Sequence, residues 1–182
     1  AFVVCAAGTL ALHALVAQGM VRHEPEVHDE FSYLLAADTF LHGAMSNPPH
    51  PLWRSFETAH VLFQPRYASM YPPGQGLLLA AGKKIWGDYL AGPWLAAALL
   101  AGLAGWMLAG WVPAHWALLG AILVALRIGV FSYWANSYWG GALPAIGGVL
   151  LFGSLPRLLK HPGIREAALM ALGLVTMALT RP

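Results

Sequence analysis

Two adjacent carboxylates, Asp29 and Glu30, stand in the segment His28-Asp29-Glu30-Phe31-Ser32-Tyr33, just past the end of the first long apolar run. A carboxylate that is held rigidly and kept ionised can act as a general base toward a hydroxyl group. The same residues also suit plain helix architecture, since Asp is a preferred N-cap and Glu fits the positive end of a helix dipole. The two roles are compatible, and the sequence leaves both open. His23, His28, His42, His50 and His60 share the following loop with the pair and could assemble a divalent-metal site. Nothing like a His-Glu-x-x-His spacing supports one, so these histidines read as hydrogen-bonding or titrating groups and no cofactor is expected. Arg127 interrupts the apolar run Leu119 to Val130; such a residue is either a functional group or one that snorkels to the nearby interface. Arg181 holds a similar place at the end of the last apolar run.

The elements that must position these groups belong in a bilayer. Of 182 residues, 58% are hydrophobic and 10% charged, and the mean hydropathy is +0.60. An average soluble domain has roughly 25% charged residues. Lys plus Arg number 10 against 8 for Asp plus Glu, with no basic block, which argues against a nucleic-acid partner. The single cysteine, Cys5, excludes an intrachain disulfide. Phosphate-binding glycine loops, a serine nucleophile elbow and Cys-x-x-Cys pairs are all missing from the sequence.

Residues 1–20 form a first apolar span near the length of about 20 residues that a bilayer core requires, with no cleavage site before Arg22-His23-Glu24. Four further runs, Tyr89 to Val112, Trp116 to Tyr133, Gly140 to Leu155 and Ile164 to Thr180, give an all-α polytopic membrane architecture of about five spans. Gly74 to Trp86 is too short to cross, and Lys83-Lys84 would cost about 2.5–3.5 kcal/mol each at a helix centre, so an interfacial helix is expected there. The chain starts without Met and stops just after an apolar run, which reads as the amino-terminal part of a larger transmembrane domain covering 1–182. The glycines of 102–105, 140–141 and 147–148 are expected to allow close helix packing.

Five spans fix the sides. The short connection Arg157 to Arg165 carries three Lys or Arg, which makes it cytoplasmic by the positive-inside rule. The long loop 21–88 and the carboxylate pair then lie outside, together with the turn Phe131 to Gly141, whose Ser132, Tyr133, Trp134, Asn136, Ser137, Tyr138 and Trp139 form a second wall for a site. Within the loop, Phe31, Leu34, Leu35, Asp38 and Leu41 recur at helical spacing, predicting a short helix from Glu30 to His42 that stops at Gly43. Beyond it, Asn47-Pro48-Pro49-His50-Pro51 and Tyr71-Pro72-Pro73-Gly74 mark turns. A long loop of this kind is often a functional lid, and its aromatic residues serve equally as headgroup anchors or as substrate contacts.

Asp29-Glu30-x-x-Tyr33 after a first span, an interfacial helix, a Tyr-Pro-Pro segment at Tyr71 and a short helix ending in Trp86-Gly87 together resemble the amino-terminal half of the GT-C membrane glycosyltransferases. The pattern is most like the protein O-mannosyltransferases, the aminoarabinose transferases of lipid A and their lipopolysaccharide-sugar relatives. The resemblance implies an enzyme of the bacterial inner membrane that takes a sugar from a polyprenyl-phosphate donor. It passes that sugar, with inversion, to a protein or lipid/glycan acceptor on the extracytoplasmic face. Asp29 matches the catalytic carboxylate, with Glu30 supporting it. The leaving phosphate needs a fixed positive charge, for which Arg66, Arg127 and Arg181 are the candidates and Lys83 and Lys84 weaker ones. Tyr33, Tyr71, Asn136 and Tyr138 complete the expected substrate contacts. Where aminoarabinose transferases carry Lys-Pro this chain has Tyr71-Pro72, and where they carry an Asp after the third span it has Asn136-Ser137, so the sugar stays unassigned. A membrane transporter or lipid flippase subunit is the alternative, although transporters gather charge at the midplane and here it gathers in the outer loop.

Overall fold

The computed structural model describes residues 2–17, 19 and 23–180, and these are mostly helical. In chain order they form α1 (Phe2–Ala17), α2 (His28–Leu41), a 3-10 turn (Trp53–Ser55), β1 (Val61–Leu62), β2 (Ala68–Ser69), α3 (Pro73–Trp86) and α4 (Ala91–Leu108). Then follow α5 (Ala114–Val124), which runs on into a π turn (Ala125–Val130), α6 (Ala142–Lys160) and α7 (Ile164–Ala178). The all-α expectation needs one correction. β1 and β2 pair antiparallel, Val61 with Ser69 and Leu62 with Ala68, and Asn47 bridges to Tyr67 through backbone bonds of 2.8 and 2.9 Å. The loop folds back on itself, and its backbone donors and acceptors must find partners there.

α4 is the centre of the packing, touching α1, α3, α5 and α6. Its Ala96, Ala97, Ala101 and Ala104 are buried, and these small side chains let neighbouring helices come close. Leu100 and Ala96 meet Ala142, Ile146 and Leu150 of α6 in the main apolar cluster. The glycines expected at helix contacts divide. A Cβ on Gly102 would strike Phe2 of α1 at 2.8 Å, and one on Gly105 would meet Ala121 of α5 at 3.1 Å. At the α6–α7 crossing, a Cβ on Gly147 would lie 2.7 Å from the Gly173 carbonyl oxygen. Gly148 faces open space, so its expected packing role is not met; one residue along, the helix has turned about 100° away from α7.

Pro156 lies inside α6 and has no N–H to give to the carbonyl of Phe152, four residues back. That carbonyl accepts the Trp111 indole N–H at 3.0 Å instead. The next residue, Arg157, donates to Gly153 O at 2.6 Å and Trp106 O at 2.7 Å, its guanidinium 4.3 Å above the Trp106 ring.

Among the described residues, two helices, α4 and α6, are long and apolar enough to cross a membrane. The segments Phe2–Val16 and Ala114–Val130 are apolar over shorter lengths, and α7 has 15 residues. These five stretches coincide with the expected apolar runs.

The loop between α1 and α4 is anchored by α2 and α3. α2 begins at His28, with Val27 as its N-cap in an extended conformation and no side-chain cap. The expected capping by Asp29 is therefore corrected: Asp29 sits inside the first turn, where its charge still favours the helix dipole. Gly43, at φ 73°, closes the helix, and the Ala44 N–H reaches back to Thr39 O at 3.1 Å. α3 forms where a short helix was expected over Gly74 to Trp86, with Pro73 at its first turn and Gly87 at φ 76° beyond its end. Gly76 lets it pack on α2, since a Cβ there would meet Ala36 at 2.7 Å, and Gly82 lets it pack on Gly92 of α4.

Candidate functional site

Asp29 and Glu30 are neighbours in sequence and turn in different directions, as successive helical residues must. Glu30 points inward and is 0% exposed. Its carboxylate meets His23 Nε2 at 2.8 Å and accepts the backbone N–H groups of Glu26 and Tyr138, each at 3.0 Å. Burial alone would raise its pKa. The two N–H groups and His23 outweigh that, and hold the carboxyl below the ordinary glutamate value. Tyr138 closes the arrangement from the other side, its hydroxyl donating to His23 O at 3.0 Å. Next to this cluster, burial and the charge of Glu30 push the Tyr133 hydroxyl up.

Asp29 turns outward, one fifth exposed, into a cleft of about 420 Å³. Tyr33 of α2, Met70, Tyr71 and Pro72 of the segment before α3, Trp139 of the turn 131–141 and Thr180 after α7 make the other walls. Its Oδ1 accepts the Tyr71 hydroxyl. That hydroxyl also lies 2.9 Å from His60 Nδ1, while His60 Nε2 lies 3.7 Å from Asp29 Oδ1. The Tyr71 ring is clamped between Tyr33, 4.6 Å away between centroids, and His60, 5.5 Å away.

His60 is held in an uncommon backbone conformation, φ 64°, which few residues other than glycine and asparagine adopt readily. Its carbonyl accepts the Ser32 hydroxyl at 2.6 Å and the Met70 N–H at 3.2 Å, and Ser32, fully buried, lies 2.7 Å from the Ser69 hydroxyl. Strain fixed in this way is found where side-chain direction matters. Its effect here is directional. Ala59 and Val61 line a second cleft of about 500 Å³, with Phe31, Asp38, Tyr67 and Tyr89, while His60 between them meets Tyr71 on the Asp29 side.

Of the residues expected at the site, the structure brings Asp29, Tyr33 and Tyr71 together in one cleft. Glu30 is a buried clip to the Tyr138 backbone and does not line that cleft. Tyr138 and Asn136 were expected to touch substrate. Tyr138 instead locks the turn to Glu30 and His23, and Asn136 donates to the Val130 and Ser132 carbonyls at 2.8 and 2.9 Å, closing the end of the π turn. Arg66 and Arg127 are exposed and line no part of the cleft. Lys83 donates to Gly87 O at 3.0 Å. Arg181 lies outside the described residues; its chain neighbour Thr180 lines the cleft.

His60 as the partner of Tyr71 and Asp29, and Ser32 and Ser69 behind it, escape sequence reasoning. His60 is 31 positions from Asp29, and no helical or strand period links them. The wall formed by Trp139 was readable from its turn. Among the described residues, no three His, Cys, Asp or Glu side chains converge as a ligand set. No protein-family model, curated protein or solved structure matches the chain.

Proposed function

We propose that the chain is part of a membrane glycosyltransferase that moves a sugar, with inversion, from a polyprenyl-phosphate donor to a protein or lipid/glycan acceptor. One observation carries the reading. A carboxylate on the rigid first turn of α2 opens into a cleft, with one oxygen fixed by Tyr71 and aromatic walls at Tyr33 and Trp139. Aromatic faces stack on sugar rings, and a preoriented carboxylate is what an acceptor hydroxyl needs. In the proposed step, the hydroxyl oxygen attacks the anomeric carbon and its proton goes to Asp29. The carbon–oxygen bond to the phosphate breaks, and its electron pair leaves on the lipid phosphate. Arg181, next after Thr180, is the candidate for the positive charge that receives it. No metal or other cofactor is invoked.

In this reading five helices span the bacterial inner membrane. α4 and α6 cross at full length, α1, α5 with its π turn and α7 cross alongside them, and α2 and α3 rest at the outer interface. The basic connection Arg157 to Arg165 faces the cytoplasm, and Asp29 faces outward.

The test uses full-length protein in membranes from cells grown on radiolabelled glucose, so that whichever lipid-linked sugar the cell makes carries label. Asp29→Asn should abolish transfer of label out of the lipid-linked pool while the protein's membrane level stays unchanged. Transfer at the wild-type rate would refute the reading. Movement of lipid across the bilayer with no glycosylated product would replace it with a transporter or flippase.

A further inference from the structure

We infer that His60 is a positioning and proton-accepting partner of Asp29, coupled to it through Tyr71; the inference rests on the glycosyl-transfer reading of that site. Three contacts close a ring of three side chains. Asp29 Oδ1 accepts the Tyr71 hydroxyl, His60 Nδ1 is 2.9 Å from the same hydroxyl, and His60 Nε2 is 3.7 Å from Oδ1 itself. Because the Tyr71 hydroxyl gives its only hydrogen to Asp29, it must accept from His60, which requires the tautomer with hydrogen on Nδ1. Nε2 is then the basic nitrogen, and it is the ring atom that faces the carboxylate.

This arrangement gives Asp29 a way to lose the proton it gains. The acceptor's proton is taken by Asp29, the carboxyl proton moves to Nε2 once the 3.7 Å gap closes or a water bridges it, and His60 becomes an imidazolium. The Nδ1–H bond to Tyr71 and the Tyr71 bond to Asp29 are unchanged throughout, so the carboxylate is regenerated without being turned. The ring is 39% exposed, which lets the imidazolium return its proton to water. Among the described residues, Asp29 from α2 and Tyr71 from the segment before α3 are the titratable groups that meet the ring, and the nearby His28 is paired with Thr58. The backbone supports the same purpose. A residue held at φ 64° by bonds from Ser32 and Met70 keeps its ring pressed against Tyr71.

The experiment uses His60→Gly and His60→Asn, both of which accept a positive φ and so keep the loop. In the labelled-membrane assay each should slow transfer roughly tenfold or more. Imidazole added to the buffer should restore His60→Gly, where the ring's volume is vacant, and should do nothing for Asp29→Asn. A structural role for His60 would not be rescued. If both His60 variants transfer at the wild-type rate while Asp29→Asn is dead, the relay is wrong and the transferase reading stands; if Asp29→Asn is active, that reading itself fails. A measurement independent of substrate is the ¹⁵N spectrum of His60 in the detergent-solubilised full-length protein. It should show hydrogen on Nδ1 in the wild type and a mixture of tautomers in Tyr71→Phe. The opposite tautomer in the wild type would overturn the relay whatever the transfer assay gives.

Discussion

The carboxylate of Glu30 accepts the backbone N–H of Tyr138, 108 residues further along the chain, at 3.0 Å. This one bond ties the first turn of α2 to the turn between the π segment and α6, and so fixes the distance between the walls that Asp29 and Trp139 give to the cleft.

Removing the Glu30 side chain should loosen both ends at once. Glu30→Ala leaves the Glu26 and Tyr138 N–H groups and His23 without their acceptor in a place sealed from water, which costs roughly 3 kcal/mol. Glu30→Gln keeps one acceptor oxygen and should cost less than half of that. Thermal unfolding of the three proteins in detergent, run side by side, gives the order.

The same carboxylate makes stability depend on pH in a definite direction. Its folded pKa lies below the ordinary 4.5, so its contribution is complete above that value and is lost as the pH falls through the lower folded one. The stability gap between wild type and Glu30→Gln should therefore shrink as the pH falls below about 4.5. A gap that widens below that pH would contradict the assignment.

Tyr71→Phe removes the hydroxyl that fixes Asp29 and leaves the stack on Tyr33, 4.6 Å between centroids, in place. A lost hydrogen bond to a charged group is worth about 1.5–3 kcal/mol. Sugar transfer should fall roughly 10- to 100-fold, and the melting temperature should fall by several degrees.

The α6–α7 crossing gives a matched pair of substitutions. Gly147→Ala forces a Cβ to within 2.7 Å of the Gly173 carbonyl oxygen and should destabilise by roughly 1–3 kcal/mol, while Gly148→Ala enters open space and should be neutral or slightly stabilising. Detergent melting curves separate the two.

Much of this fold could be read from the sequence, and the reasons for success and failure are physical. α4 and α6 follow from long apolar runs, α3 from a short apolar core ending in Lys83-Lys84, and the end of α2 from Gly43, because each signal is local. Asp29 and Tyr33 are four apart on one helix and therefore share a face. Their meeting with Tyr71 was suggested only by resemblance. The inward direction of Glu30 could not be read because adjacent carboxylates look alike until the helix phase is known to within one residue, and α2 starts two residues before the expected Glu30. Asn136 and Tyr138 looked like substrate contacts because polar residues in an outer turn carry no mark that tells a buried backbone bond from an open one. His60 owes its place to a left-handed backbone angle at a residue that is not glycine, which composition does not announce.

The strained segment around His60 stands beside two clefts. Ala59 and Val61 line one cleft, while the His60 ring meets Tyr71, which lines the other. A molecule that fills the larger space would touch the residues on either side of the imidazole that meets Tyr71.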